Sequence, residues 1–225
     1  MSPHDFENDQ TESSFGLSIG DLMSSLLLLF VLLLAATLLN LQDRYDDQLT
    51  VASQYMEIKR DIYRELNNTF ADSLHAWQAE IDSTDLVIRF TEPGILFDTN
   101  ESELKPQFRR ILSDFFPSYI AVLTSDRFKH TIEEIRIEGH TDSNGDYYYN
   151  MKLSQDRTRS VLEYAMQQIP QQKDWVVKRI TANGLSSSKP ILNAQGKEDK
   201  QASRRVEFRI RTNAESQIER ILHIK

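Results

Sequence analysis

From Leu22 to Leu39 the chain carries no charged residue. Eighteen helical residues rise about 27 Å, close to the ~30 Å hydrocarbon core of a bilayer. Phe15, Leu17 and Ile19 lengthen the apolar stretch, so residues 15–41 are predicted to span a membrane with room for tilt. One charge interrupts the run, Asp21. A carboxylate inside a span is costly, and such groups mark ion or proton pathways. Ser24 and Ser25 stand three and four residues on, on the same helix face, where their hydroxyls are expected to bond the carboxyl or hold a water beside it. The opposing reading of Asp21 is a wet residue capping the membrane end of the helix.

The flanks argue against a cleaved leader. A secretory signal needs a basic region ahead of its apolar core. Here residues 1–40 hold Asp5, Glu7, Asp9, Glu12 and Asp21 but no Lys or Arg. The helix is therefore read as a retained anchor, and residues 1–14 as a short flexible tail. The whole 225-residue chain has a formal charge of −8 and no basic stripe or tail, which argues against nucleic acid as a partner. Neither flank is rich in Lys or Arg, so charge sets the orientation poorly, and Arg44 leans toward the reverse of the topology adopted below. There is no cysteine, so no disulfide informs the compartment.

After the span no Gly or Pro occurs before Pro93. Tyr45, Leu49, Ala52, Met56, Ile62, Leu66, Phe70, Leu74, Trp77 and Ile81 recur mostly every three or four residues, one stripe of a helix. Residues 42–84 are read as a helical stalk, with Asn67-Asn68 as the place for a break. The stripe needs a cover: a parallel homodimeric coiled coil, or the domain that follows.

That domain is predicted over residues 85–211. Asp85–Phe90 reads as a strand, Glu92-Pro93-Gly94 as a turn, and Ile95–Phe97 as a short second strand piece. A helix opens at Pro106 and runs to about Ala121. Ile135–Glu138 is a strand, Ser154 caps a helix to about Ile169, and Ile180–Asn183 and Arg205–Ile210 are strands. The order β-α-β-α-β-β describes an α+β domain with helices on one side of a sheet. Residues 212–225 form a tail, with a short helix expected over Ser216–Ile224.

Two stretches carry chemistry, GHTDSNG at Gly139–Gly145 and YNMKLSQDR at Tyr149–Arg157. If Ser154 caps the helix, Arg157 lies in its first turn, where a cation opposes the helix dipole and needs a carboxylate. Asp142 is one candidate and a ligand is the other. An Arg fork beside an Asp suits a zwitterion, with guanidinium on carboxylate and Asp on ammonium. The residues alone leave a structural Asp142–Arg157 pair and a ligand site equally open. No nucleophile–base or carboxylate pair stands out, so the chain is not read as an enzyme. With five His and no Cys there is no metal-ligand cluster, and His140 is read as part of the loop.

These segments resemble the OmpA-like peptidoglycan-binding domain. Gly139, His140, Thr141, Asp142, Gly145, Asn150, Leu153, Ser154, Arg157 and Val161 match its GHTDxxG and YNxxLSxxR pattern in register. GILFDTNESELKP at Gly94–Pro106 and RRVEF at Arg204–Phe208 resemble its first strand and its last. Thr158 and Ser203 depart from the usual Ala and Asn. The resemblance implies that Asp142 and Arg157 hold the diaminopimelate of a stem peptide, with Thr141, Tyr149, Asn150 and Leu153 around it.

GDLMSSLLLLF at Gly20–Phe30 is similar to the span of MotB-type stator subunits. Short tail, single span, long helix and cell-wall domain follow in the order of such a subunit. The resemblance implies that Asp21 carries protons and that the N-terminus is cytoplasmic and the C-terminal domain periplasmic. It implies a homodimer inside a ring of about five polytopic MotA-like or ZorA-like partners, anchored to peptidoglycan in the inner membrane, with protons as coupling ion and no cofactor. The compact tail, uninterrupted helix and Leu-rich span are most similar to the B subunits of Zorya anti-phage systems. A flagellar stator, and a passive membrane-to-wall tether with Asp21 incidental, are the alternatives.

Overall fold

The computed structural model describes residues 4–91 and 93–213. It divides into two units, Met1–Val51 and Ala52–Lys225. The first is helical. Helix α1 (His4–Trp77) begins within the stretch read as a tail, which has no helix breaker between Asp5 and Phe15. Gly20–Tyr45 is long and apolar enough to cross a membrane, and its side chains are exposed throughout.

The second unit takes the remainder of α1 into its own core. Ile62, Leu66 and Phe70, four residues apart, are fully or almost fully buried, and Ile58, Leu74 and Trp77 pack at their edges. Phe70 and Trp77 meet Phe115 with ring centroids 5.3 and 6.1 Å away. Over Leu66, Phe70 and Leu74 this corrects the expected coiled coil: that part of the stripe is covered by the chain's own domain, while Tyr45 and Met56 are exposed. Nor does the helix break at Asn67-Asn68. It ends at Gln78, which adopts a left-handed φ of 50°. Ile81 is not helical but lies in β1 (Ala79–Asp82), so the domain starts well before residue 85.

β1 forms a hairpin with β2 (Val87–Phe90). The expected strand at Ile95–Phe97 is instead a short helix, α2 (Pro93–Leu96), followed by a single bridge from Phe97 to Leu104. A run of three apolar residues does not distinguish the two by period. α3 (Pro106–Leu123) opens on Pro106 and buries Phe108, Ile111, Leu112, Phe115, Phe116, Tyr119, Ile120 and Leu123. Then come β3 (Ile132–His140), α4 (Tyr147–Gln167), α5 (Lys173–Val177), β4 (Ile180–Gly184), α6 (Lys200–Ser203) and β5 (Arg205–Thr212). The expected helix at Ser216–Ile224 lies outside the described residues.

The five strands order as β1-β2-β5-β3-β4, with β3 and β4 parallel and the other neighbours antiparallel. Alternation along β5 assigns the faces. Val206, Phe208 and Ile210 join the apolar core; on the other face Glu207 pairs with Arg205 and Arg209 of its own strand and with Arg89 of β2, and Arg209 pairs with Glu138 of β3. The parallel β3-α4-β4 crossover leaves the loop after β3 and the start of α4 together, where α/β sheets commonly hold ligands. α4 crosses this sheet closely. A Cβ on Gly139 would come within 2.6 Å of Thr158 Cγ2 and 2.9 Å of the Ser154 carbonyl oxygen.

Candidate functional site

The GHTDSNG loop leaves the carboxyl end of β3, and its shape is set by hydrogen bonds to its own side chains. Asp142 Oδ1 accepts from the Asn144 backbone N–H at 2.9 Å. Asn150, buried on α4, donates from Nδ2 to the carbonyls of Asn144 and Asp142 at 2.8 and 3.3 Å. Thr141 is also buried, its N–H bonded to the Ser186 carbonyl at 3.0 Å. A hairpin around Leu192–Glu198 braces the loop from outside: Glu198 accepts from Ser143 N–H at 3.0 Å, and Lys200 Nζ donates to Asn144 Oδ1 at 2.6 Å.

α4 begins earlier than expected. Asp146 is its N-cap, accepting from Tyr148 and Tyr149 N–H groups at 2.9 and 3.2 Å, and no Gly or Pro interrupts the helix from there to its end at Gln167. Ser154 is therefore internal: buried, it donates to Met151 O at 2.9 Å and accepts from Ser186 N–H at 3.0 Å. Arg157 stands about three turns into the helix, so the dipole argument for its partner does not apply.

Asp142 and Arg157 line one cleft of about 690 Å³, together with Thr141, Tyr149, Asn150 and Leu153. They do not pair. Asp142 Oδ2 accepts from Arg204 Nη1 at 2.5 Å. Arg157 donates from Nε to the Glu101 carbonyl at 2.8 Å and from Nη2 to the Asp98 carbonyl at 3.2 Å. Its guanidinium lies 4.8 Å from the Phe97 ring centroid. Among the described residues no carboxylate forms an ion pair with it. Burial pushes the Arg157 pKa down, as expected for a guanidinium whose charge is poorly compensated.

Arg204 also lines the cleft, although its motif, RRVEF, points only to a strand. The strand register shows why it belongs: His140 on β3 pairs with Arg205 on antiparallel β5. One residue before Arg205 thus lies beside the residues that follow His140. A doublet of Arg opening a strand was the only signal in the sequence.

The OmpA family model matches residues 96–205, the part of the chain that builds this cleft. A Zorya protein ZorB from the Crooks strain of Escherichia coli is 42% identical over 215 residues, 91% of either chain. The chain belongs to the ZorB family. A second ZorB, from Escherichia coli O139:H28, is 30% identical over 90% of this chain and 82% of its own length. The fold has a solved counterpart in a MotB-like protein from Desulfovibrio vulgaris, with a TM-score of 0.53 and 24% identity over 71% of this chain and 98% of that one.

Two further features of this ZorB-family chain bear on chemistry. In the apolar span, the Ser24 hydroxyl donates to the Gly20 carbonyl at 2.8 Å, and that of Ser25 to the carbonyls of Asp21 and Leu22 at 2.8 and 3.0 Å. Both hydroxyls donate to the helix backbone rather than to the Asp21 carboxylate, and their oxygens keep lone pairs that can accept from a water. Beneath the cleft, Glu138, His140 and Glu207 lie close enough together to suggest a metal-ligand triad, and all three are buried. The carboxylates are already engaged by cations. Glu207 accepts from Arg205 Nε at 2.7 Å and Arg89 Nε at 2.8 Å, and Glu138 from Arg209 Nε at 3.1 Å. Burial alone would raise the Glu207 pKa, but hydrogen bonds from its partners hold it well below the usual carboxylate range. Burial also lowers the pKa of His140, favouring neutral imidazole. The arrangement is that of an ion-pair lattice supporting β3 and β5.

Proposed function

We propose that this chain is the B subunit of a proton-driven membrane motor, held stationary by peptidoglycan and serving anti-phage defence. What carries the reading is the coexistence, in one ZorB-family chain, of a membrane-length helix with a carboxylate, Asp21, at the start of its uncharged run and a cleft with an uncompensated arginine. In the cleft, the unpaired Arg157 takes a carboxylate and Asp142 an ammonium, which together describe the free end of a diaminopimelate stem peptide. Thr141 and Asn150 hold the loop in shape, and Tyr149 and Leu153 line the path of the peptide.

In the span, Asp21 alternates between neutral and ionised forms as partner helices and cytoplasmic water reach it in turn. The two forms interact differently with surrounding helices, and that difference drives the conformational step. One charge crossing ~100 mV releases about 2.3 kcal/mol, so a few protons suffice for mechanical work. The chain is placed in the inner membrane, N-terminus inside, as two copies within a ring of polytopic partners.

Asp21→Asn keeps the size of the side chain and removes the titrating proton. Cells carrying it are expected to assemble the complex normally and to lose phage protection as completely as a deletion strain. Full protection from Asp21→Asn would remove the proton-carrier role. A deletion strain with unchanged plaquing and lost swimming would assign the motor to motility instead.

A further inference from the structure

The cleft holds more positive charge than its own acids neutralise. Lys105 is bonded to Asp98 at 2.8 Å, and Arg204 to Asp142 at 2.5 Å, while Arg157 has no acid. Arg157 is anchored through Nε and Nη2 to carbonyl oxygens, which hold the guanidinium plane without cancelling its charge. Arg204 is anchored differently. Asp142 is its one hydrogen-bond partner among the described residues, and its side chain is 39% exposed. The two guanidiniums share the cleft and repel each other across it, Arg204 helping to lower the Arg157 pKa after burial. Like charges held together around an open space are stabilised by an anion between them.

We infer that Arg204 is a specificity-determining residue, forming with Arg157 a two-arginine subsite for one free carboxylate of the ligand while its link to Asp142 orients that acid toward the ligand's ammonium. The inference rests on the stem-peptide reading above and deepens it. Asp142 keeps Arg204 at the cleft wall, so the guanidinium is in place before the ligand arrives. A second fork on the carboxylate also makes the site discriminating. A carboxamide at the same position offers one acceptor and brings two N–H donors against two cations, so its cost is the lost bond plus a repulsive contact.

The experiment is calorimetric titration of the full chain in detergent micelles with two probes. One is the tripeptide L-Ala-γ-D-Glu-meso-diaminopimelate with a free carboxylate beside its free amine; the other carries a carboxamide there. The wild-type chain should prefer the free acid by at least on the order of tenfold, the loss expected for one charge-assisted hydrogen bond. Arg204→Gln should lose most of that preference, its affinity for the free acid falling further than its affinity for the carboxamide, which shares the ammonium that Asp142 receives. Arg204→Lys keeps the charge without the fork and should fall between them. It also carries the test if thermal melting shows that Arg204→Gln folds poorly. An unchanged preference in both variants would overturn the role of Arg204 and leave the stem-peptide reading standing. Tighter binding of both probes by Arg204→Gln would show a competitor for Asp142 rather than a selector, and would also overturn it. Failure of the wild-type chain to bind either probe would remove the stem-peptide reading itself.

Discussion

Acid sensitivity is built into single side chains of the OmpA-like domain. His140 is 2% exposed and 3.7 Å from Glu207, and its pKa is lowered from 6.5. A group whose pKa falls on folding supports the fold above its unfolded pKa and withdraws that support as pH falls. The melting temperature should therefore begin to drop as pH goes below about 6.5. Glu207 shifts in the same direction, so its contribution is lost later, below its unfolded value of 4.5. Melting curves of His140→Gln should be flatter between pH 7 and 5 than those of wild type; an identical slope would mean other groups set it. Gly139 makes a steric prediction. Its substitution by Ala should cost about 1–3 kcal/mol in denaturant unfolding, because the added methyl meets both Thr158 and the α4 backbone. Much of the cleft at this scale was legible, since Asp142, Asn150 and Arg157 occupy recognisable motif positions. What was not legible was who bonds whom. Arg204 lies 62 residues from Asp142, and only the β3–β5 register brings them together.

At the scale of elements, the helical period of residues 58–77 was legible and its partner was not. A stripe of apolar residues states that a face must be covered, and coiled coil and domain core satisfy it equally. The core won here because Phe115 and its neighbours on α3 present an aromatic surface to Phe70 and Trp77. Phe70→Ala should accordingly destabilise the domain by about 3–5 kcal/mol. A fragment of residues 85–211, the boundary drawn from composition, should be aggregation-prone, whereas 52–225 should melt cooperatively. Equal solubility and melting of the two fragments would show that α1 adds nothing to the core. The start of α4 was misplaced for a different reason. Ser154 and Asp146 both satisfy N-cap chemistry, and the earlier cap wins because nothing between them breaks a helix.

At the scale of the whole molecule, the two halves of the proposed function can be separated by mutation. Arg157→Ala and Asp142→Ala should each abolish co-sedimentation of the full chain with purified sacculi, with melting temperatures close to wild type. Asp21→Asn should pellet normally. Arg157→Ala protein that still pellets as well as wild type would make the cleft residues structural. The buried part of α1 has a mechanical consequence. Tension transmitted along the chain from its N-terminal side enters the domain through Ile62, Leu66 and Phe70, rows of one helix face seated in one core. Rows that share a core yield together, so the anchor should resist a pull up to a threshold and then let go abruptly, as a fuse does, instead of stretching in proportion to load.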